Sequence, residues 1–254
     1  MGYADVAWGV NELRNTFYGG VQEFLNSGSF TVPDDVYKIY VTACAGGASG
    51  GCIESDDNYH IRGGNAGQFI YRKPFLVTPK QQINITIGNG GTPVVSKGQN
   101  KYLAKPGANT VIGNLITLKG GTVNLYNNNG APTAGRTNTN AIEIDNHKYS
   151  VVSINNYGEN SPFNIGGRAF EPYIWYKSSN YYISETPSGG AASLGKGGDA
   201  GNITSYNGTI VNAQDGDKGS GGGGGGYSHN RYDEYPYLYR KPGNGGKGYC
   251  LIEW

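Results

Sequence analysis

Glycine comes in runs that sit against strand-like segments, and this limits what the chain can fold into. The runs are GGASGG (46–51), GGNAG (63–67), GGAASLGKGGDAG (189–201), GSGGGGGG (219–226) and GNGGKG (243–248). A glycine run inside a helix costs about 1 kcal/mol per residue relative to alanine, so helical bundles are excluded. With no repeating Gly-X-Y triplet, a collagen triple helix is excluded too. A flexible linker joins two domains, yet these runs are scattered, and each leads into or out of a strand-like run. Segments without side chains can bring their backbones close together and hydrogen-bond sideways. We therefore expect the runs to meet in space as an ordered, rigid base at one end of a β domain.

The remaining sequence supplies that domain. FTVPDDVYKIYVTACA (30–45) carries Val36, Ile39, Val41 and Ala43 after a turn at Pro33-Asp34-Asp35. QQINITIGNGG (81–91) alternates Ile83, Ile85 and Ile87 with polar residues, as a half-buried strand does. NTVIGNLITLKGG (109–121) reads as a hairpin around Gly113-Asn114, and GYCLIEW (248–254) as a last strand. These spacings predict a mainly β fold, an antiparallel β-sandwich over 29–121 and 189–254. Residues 122–188, rich in Asn and Tyr, read as a β-rich insertion. They include the aromatic stretch PYIWYKSSNYYI (172–183).

Residues 1–28 have a different texture. Val6, Val10, Leu13, Phe17, Gly20 and Phe24 are spaced 4, 3, 4, 3 and 4 apart, a heptad seam. The spacing predicts a short helix, broken near Gly19-Gly20, with a stripe at Val6, Val10, Leu13 and Phe17 for self-association or attachment. A helix this short survives in water only if it buries its stripe, on its own domain or on a partner.

Charge is balanced, Lys+Arg 20 against Asp+Glu 19, which gives no reason to expect nucleic acid as a partner. No basic leader with an apolar core opens the sequence, and no run is long and apolar enough for a spanning helix, so no membrane insertion is expected. The three cysteines, Cys44, Cys52 and Cys250, make no secreted disulfide framework; Cys44 and Cys250 read as buried apolar residues. The sequence points to no enzyme, metal or cofactor. Glu143, Asp145 and His147 would share a face on a continuous strand, but Ile142 and Ile144 mark that strand as simply amphipathic. Cys52, Glu54, Asp56, Asp57 and His60 have no ligand spacing. The glycine runs match no phosphate-binding loop.

The candidate site is an aromatic loop, YSHNRYDEYPYLYRKPG (227–243), bracketed by glycine. Tyr227, Arg231, Tyr232, Tyr235, Tyr237 and Tyr239 are the candidate receptor-binding residues. Tyrosine offers contact area and a hydroxyl at low entropic cost, and aromatic rings beside Asn, Asp and Arg suit sugars. The tyrosines would equally order the loop by packing on one another.

The order of the motifs resembles the glycine-rich domain of bacteriophage tail-fibre and related virion proteins. The matching stretches are FTVPDDVYKIYVTACAGG (30–47), GGNAGQFIYRKPFLVTPKQQINITIGNGG (63–91), GANTVIGNLITLKGG (107–121) and GNGGKGYCLIEW (243–254). The resemblance covers about 30–121 and 189–254. It implies a virion structural protein without enzymatic activity, a short tail fibre or receptor-binding tip. Its location would be the virion, with release by lysis. It implies a host surface glycan or protein as partner and a homotrimer; the N-terminal stripe, outside the resemblance, would attach the chain to other virion or tail proteins. The alternative is a capsid or baseplate decoration protein with a purely structural role.

Overall fold

The computed structural model describes residues 19–55, 58–95, 102–123, 143–144, 147–148, 161, 164, 174–177, 180–184, 189–203, 210–224, 227–230, 238–239 and 241–254. Eight strands form the sandwich: β1 (Val21–Phe24), β2 (Gly28–Thr31), β3 (Lys38–Cys44), β4 (Phe69–Leu76), β5 (Gln82–Thr86), β6 (Thr110–Ile112), β7 (Ile116–Leu118) and β8 (Tyr249–Glu253). They make two four-stranded antiparallel sheets, ordered β1-β8-β3-β4 and β7-β6-β5-β2. The predicted sandwich is therefore the observed one.

Period-two patterning decides which residues fill it. Ile83 and Ile85 of β5 point inward, as do Ile39, Val41 and Ala43 of β3. They meet Phe24, Phe30, Ile112, Leu118, Cys250 and Ile252 in one apolar core. Gly113 (φ +46°) turns the β6–β7 hairpin, and Asp35 (φ +65°) turns the chain before β3. The heptad reading stops short of Phe24. Residues 21–24 are β1, paired with β8 from Val21↔Glu253 to Phe24↔Cys250, and Phe24 enters the core. Gly20 N–H donates to the Trp254 carbonyl at 2.9 Å, and Trp254 N–H returns a bond to Gly20 at 3.0 Å. Gly20 is glycine because the Trp254 indole occupies the space of a side chain there. Among the described residues there is no helix, and the stripe Val6, Val10, Leu13 and Phe17 lies outside them.

At the other end of the sandwich the strands become glycine-rich segments. Segments 45–50, 87–91 and 119–123 continue β3, β5 and β7 outward; 63–68, 104–109 and 241–248 lead back into β4, β6 and β8. Four further segments, 189–192, 196–201, 212–217 and 220–224, lie among them. The hydrogen bonds recur every three residues. Ala45 and Ala48 donate to Gln68 and Asn65; Gly46 and Ser49 donate to Ala108 and Lys105; Gly47 and Gly50 donate to Gly246 and Gly243, all at 2.8–3.0 Å. The carbonyls of Gly46, Gly47 and Ala48 accept from Gly121, Gly91 and Gly222. Segment 45–50 thus has six neighbours, three by donation and three by acceptance, and all its residues are buried.

That pattern is a left-handed threefold extended helix, whose N–H and C=O groups point outward to other segments rather than along its own turn. Segment 220–224 is surrounded in the same way. It donates to Ala191, Ala48 and Gln214 and accepts from segments 63–68, 196–201 and 241–248. Only Gly113 and Gly219 among the described glycines have positive φ, so conformational freedom does not explain the others. Close approach does. A methyl group on Gly47, Gly50, Gly64, Gly221 or Gly245 would overlap a backbone carbonyl of the next segment. Pro93, Pro106 and Pro242 fit the same geometry, since their fixed φ suits it.

The bundle has little apolar surface to bury. Each lateral hydrogen bond contributes about 1 kcal/mol net, while ordering a residue costs about 1–2 kcal/mol. The sandwich therefore has to hold the segment ends in place. Thr110 fastens the two parts: its buried hydroxyl donates to the Cys44 carbonyl at 2.9 Å and accepts from Gly88 N–H at 3.0 Å. This links the two sheets where the bundle begins. Nearby, Leu194 and Leu251 pack on Cys44, Phe69 and Tyr249, and the Cys44 thiol donates to the Lys218 carbonyl at 3.2 Å.

Candidate functional site

The bundle's lateral pairing fixes the direction of every segment. Residues 50, 63, 104, 123 and 241 lie at the end remote from the sandwich, because their segments run away from or back toward the strands. Gly201 bonds to Gly224, and Ala213 to Lys241, which places 201, 212 and 224 at that end also. Ala191 bonds to Gly64 and Ser193 to Gly67, so 189 is there too. Five stretches consequently leave and re-enter the bundle at this one end: 51–62, 94–103, 124–188, 202–211 and 225–240. The turns at 193–195 and 217–219 lie at the opposite end of the bundle, against the sandwich.

The outer stretches build sheets of their own. One four-stranded sheet orders strands 58–62, 51–55, 102–103 and 94–95. A second orders 174–177, 180–184, 227–230 and 238–239. A third pairing joins Asn202 to Val211 and Ile203 to Ile210. The second sheet unites two features that are far apart in sequence, the aromatic stretch of the insertion and the candidate loop. Its register sets Trp175 opposite Tyr182, Tyr176 opposite Tyr181, Tyr182 opposite Asn230 and Tyr227 opposite Tyr239.

Of the candidate residues, Tyr227 and Tyr239 are thus directly paired, while Arg231, Tyr232, Tyr235 and Tyr237 fall outside the described residues. Sequence reasoning singled out one stretch of the five. The signal for the others was available: each glycine segment that ends away from a sandwich strand must open into an excursion at the outer end. The insertion also reaches back along the bundle. Ser161 Oγ donates to the Ser193 carbonyl at 2.6 Å, Asn164 Nδ2 donates to the Leu194 carbonyl at 2.8 Å, and strand Glu143–Ile144 lies alongside β4.

Strand register separates some members of the acidic and histidine groupings. Glu143 pairs with Lys148 and Ile144 with His147 as antiparallel partners. Directly opposed residues share a face, which puts Glu143 and His147 on opposite faces; Asp145 lies outside the described residues. Cys52 and Glu54 sit on a strand rather than in a loop. Their register partners are Ile61 and Tyr59, while His60 pairs with Ile53 on the other face. Among the described residues no group of three or more His, Cys, Asp and Glu side chains gathers to hold a metal.

Cys44 and Cys250 are free and buried, as read from the sequence. Burial pushes both thiols up to about 12. They are poor nucleophiles at neutral pH and sit in packing roles, Cys250 in the sandwich core and Cys44 under the 217–219 turn. Tyr249, beside Cys44, is raised by burial and by its hydrogen bond to Glu23.

What the arrangement offers is a close-packed, laterally hydrogen-bonded bundle with several stretches opening at one end. Residues 25–254 match the glycine-rich domain, and no curated protein matches the chain. The chain therefore belongs to the glycine-rich domain family.

Proposed function

We propose that this protein is a bacteriophage or phage-tail-like structural protein, a short tail fibre or receptor-binding tip that recognises a component of the host surface. One observation carries the reading. All five excursions open at one end of a stiff bundle, while the described chain enters the sandwich at the opposite end, at Gly20 beside Trp254. A protein that must be held by a particle and reach a surface needs that polarity. Close-packed glycine segments resist bending, so stretches at the outer end keep a fixed orientation while their sequences vary. Aromatic and Asn-rich composition in 172–183 and 227–243 suits recognition. The motif order resembling virion glycine-rich domains supports the same role.

In this reading the chain binds a host-surface component and carries out no catalysis. The stripe Val6, Val10, Leu13 and Phe17 holds it to other virion proteins and joins copies as a homotrimer. The test uses the purified full chain and cells that the particle infects. The chain binds those cells, and the joint change of Tyr232, Tyr235 and Tyr237 to Ala abolishes binding while leaving the melting temperature within a few degrees. Failure of the unmodified chain to bind any such cell, with particles still requiring it for assembly, would overturn recognition in favour of structural decoration.

A further inference from the structure

The sheet formed by 174–177, 180–184, 227–230 and 238–239 has two faces of different chemistry. Residues directly opposite in an antiparallel pair share a face, and alternate residues along a strand do too. One face takes Ile174, Tyr176, Tyr181, Ile183, Tyr227, His229 and Tyr239. The other takes Trp175, Lys177, Asn180, Tyr182, Ser184, Ser228, Asn230 and Leu238. The first is apolar and aromatic, the composition of a face that packs on protein. The second is amide- and hydroxyl-rich, the composition of a face turned to water, yet it carries a Trp–Tyr pair at its centre.

We propose that this second face is a glycan-binding platform, with Trp175 and Tyr182 as the stacking pair and Asn180, Asn230 and Lys177 as hydrogen-bonding groups. The inference rests on the recognition role proposed above and names the class of ligand. Sugar rings present C–H faces that pack on aromatic rings, with hydroxyls around the edge that need amide and hydroxyl partners. Tyr182 is in register with both Trp175 and Asn230, and Lys177 with Asn180. One row thus holds two rings and an amide, and the row beside it an ammonium and a second amide. On this face Lys177 is the one ionisable group other than tyrosine among the described register positions. The charge match therefore favours an uncharged glycan over a polyanion, which would call for several cations. Tyr227 and Tyr239, taken from the sequence as contact residues, lie at register positions of the first face.

The test is a microarray of neutral oligosaccharides of hexoses and N-acetylhexosamines, probed with the full chain and followed by titration of the best ligands. Trp175→Ala and Tyr182→Ala each weaken binding at least tenfold with unchanged melting. Asn230→Ala weakens it less. Tyr181→Ala and Tyr227→Ala lower the melting temperature. Binding to cells is measured in parallel after periodate oxidation or after protease treatment of the cells. Periodate sensitivity with protease resistance is the expected result. Protease sensitivity with periodate resistance overturns the glycan assignment and leaves the recognition role standing, with a protein receptor. Glycan binding that survives both Trp175→Ala and Tyr182→Ala overturns the platform. No binding to cells or array overturns both readings.

Discussion

Adding a side chain to Gly223 tests the account of the bundle most directly. A methyl carbon there would overlap the Asp199 carbonyl oxygen and lie 2.5 Å from its carbon and 2.9 Å from the Ala200 nitrogen. Ordinary carbon contacts are about 3.5–4.0 Å, so segments 220–224 and 196–201 have to separate by about 1 Å or more. Two bonds at the position are then put at risk, Gly223 N–H to Gln214 at 3.0 Å and Gly243 N–H to Gly223 at 2.9 Å. Overpacking costs about 1–3 kcal/mol, and each buried group left unpaired about 1–3 kcal/mol. Replacing glycine stiffens the unfolded chain and returns about 0.4–1 kcal/mol. The low end of each range leaves a loss of about 2–3 kcal/mol for Gly223→Ala, or about 5–10 °C in melting temperature for a chain of this size. Gly223→Val costs more. Gly28→Ala is the matched control, because its nearest neighbours are Phe24 ring atoms at 3.3 and 3.4 Å. That change stays within about 1 kcal/mol. Urea denaturation measures both, and amide exchange at Gly222, Gly223 and Gly243 locates the damage. If Gly223→Ala costs no more than Gly28→Ala, or if these amides already exchange as fast as free peptide in the unmodified chain, the lateral packing argument is wrong.

Thr110→Val removes the hydroxyl that bridges Gly88 N–H and the Cys44 carbonyl. It should lower stability by about 2–4 kcal/mol, whereas Thr110→Ser, which keeps the oxygen, should cost under half as much in urea denaturation. For the buried thiols, folding raises the pKa of Cys44 and Cys250 from 9.0 to about 12, so the folded protein holds these protons more tightly than the unfolded chain. Their contribution is therefore complete below about pH 9 and is lost as pH rises toward 12, and a Cys44→Ala, Cys250→Ala double variant should show a shallower fall in stability across that window. At pH 8 neither thiol should react with a thiol reagent until denaturant is added; rapid reaction in the native protein would contradict their burial.

Sequence alone determined the sandwich, because its information is local. The Ile83-Ile85 alternation, the Gly113 hairpin and the Pro33-Asp34-Asp35 turn each write their geometry in a few neighbouring residues. It also led us to expect ordered glycine runs, since a run that both begins and ends at strands is poorly placed to be a linker. Tertiary structure decided the rest. Phe24 follows the heptad spacing but joins a strand, because β8 offers it a complete antiparallel partner and a place in the core. Glu143 and His147 fall on opposite faces of an antiparallel pair, a register that no two-residue spacing reveals. The six neighbours of segment 45–50 come from stretches up to about 200 residues apart. Without side chains, nothing in one glycine run marks which other run it will lie against. That choice is made by the sandwich strands and proximal turns that hold the segment ends, and it brings residues 174–184 and 227–239 into one sheet. Backbone hydrogen bonds are the same at every residue, so the lateral order of the bundle, and with it the makeup of the outer end, is written in the fold rather than in any single stretch of sequence.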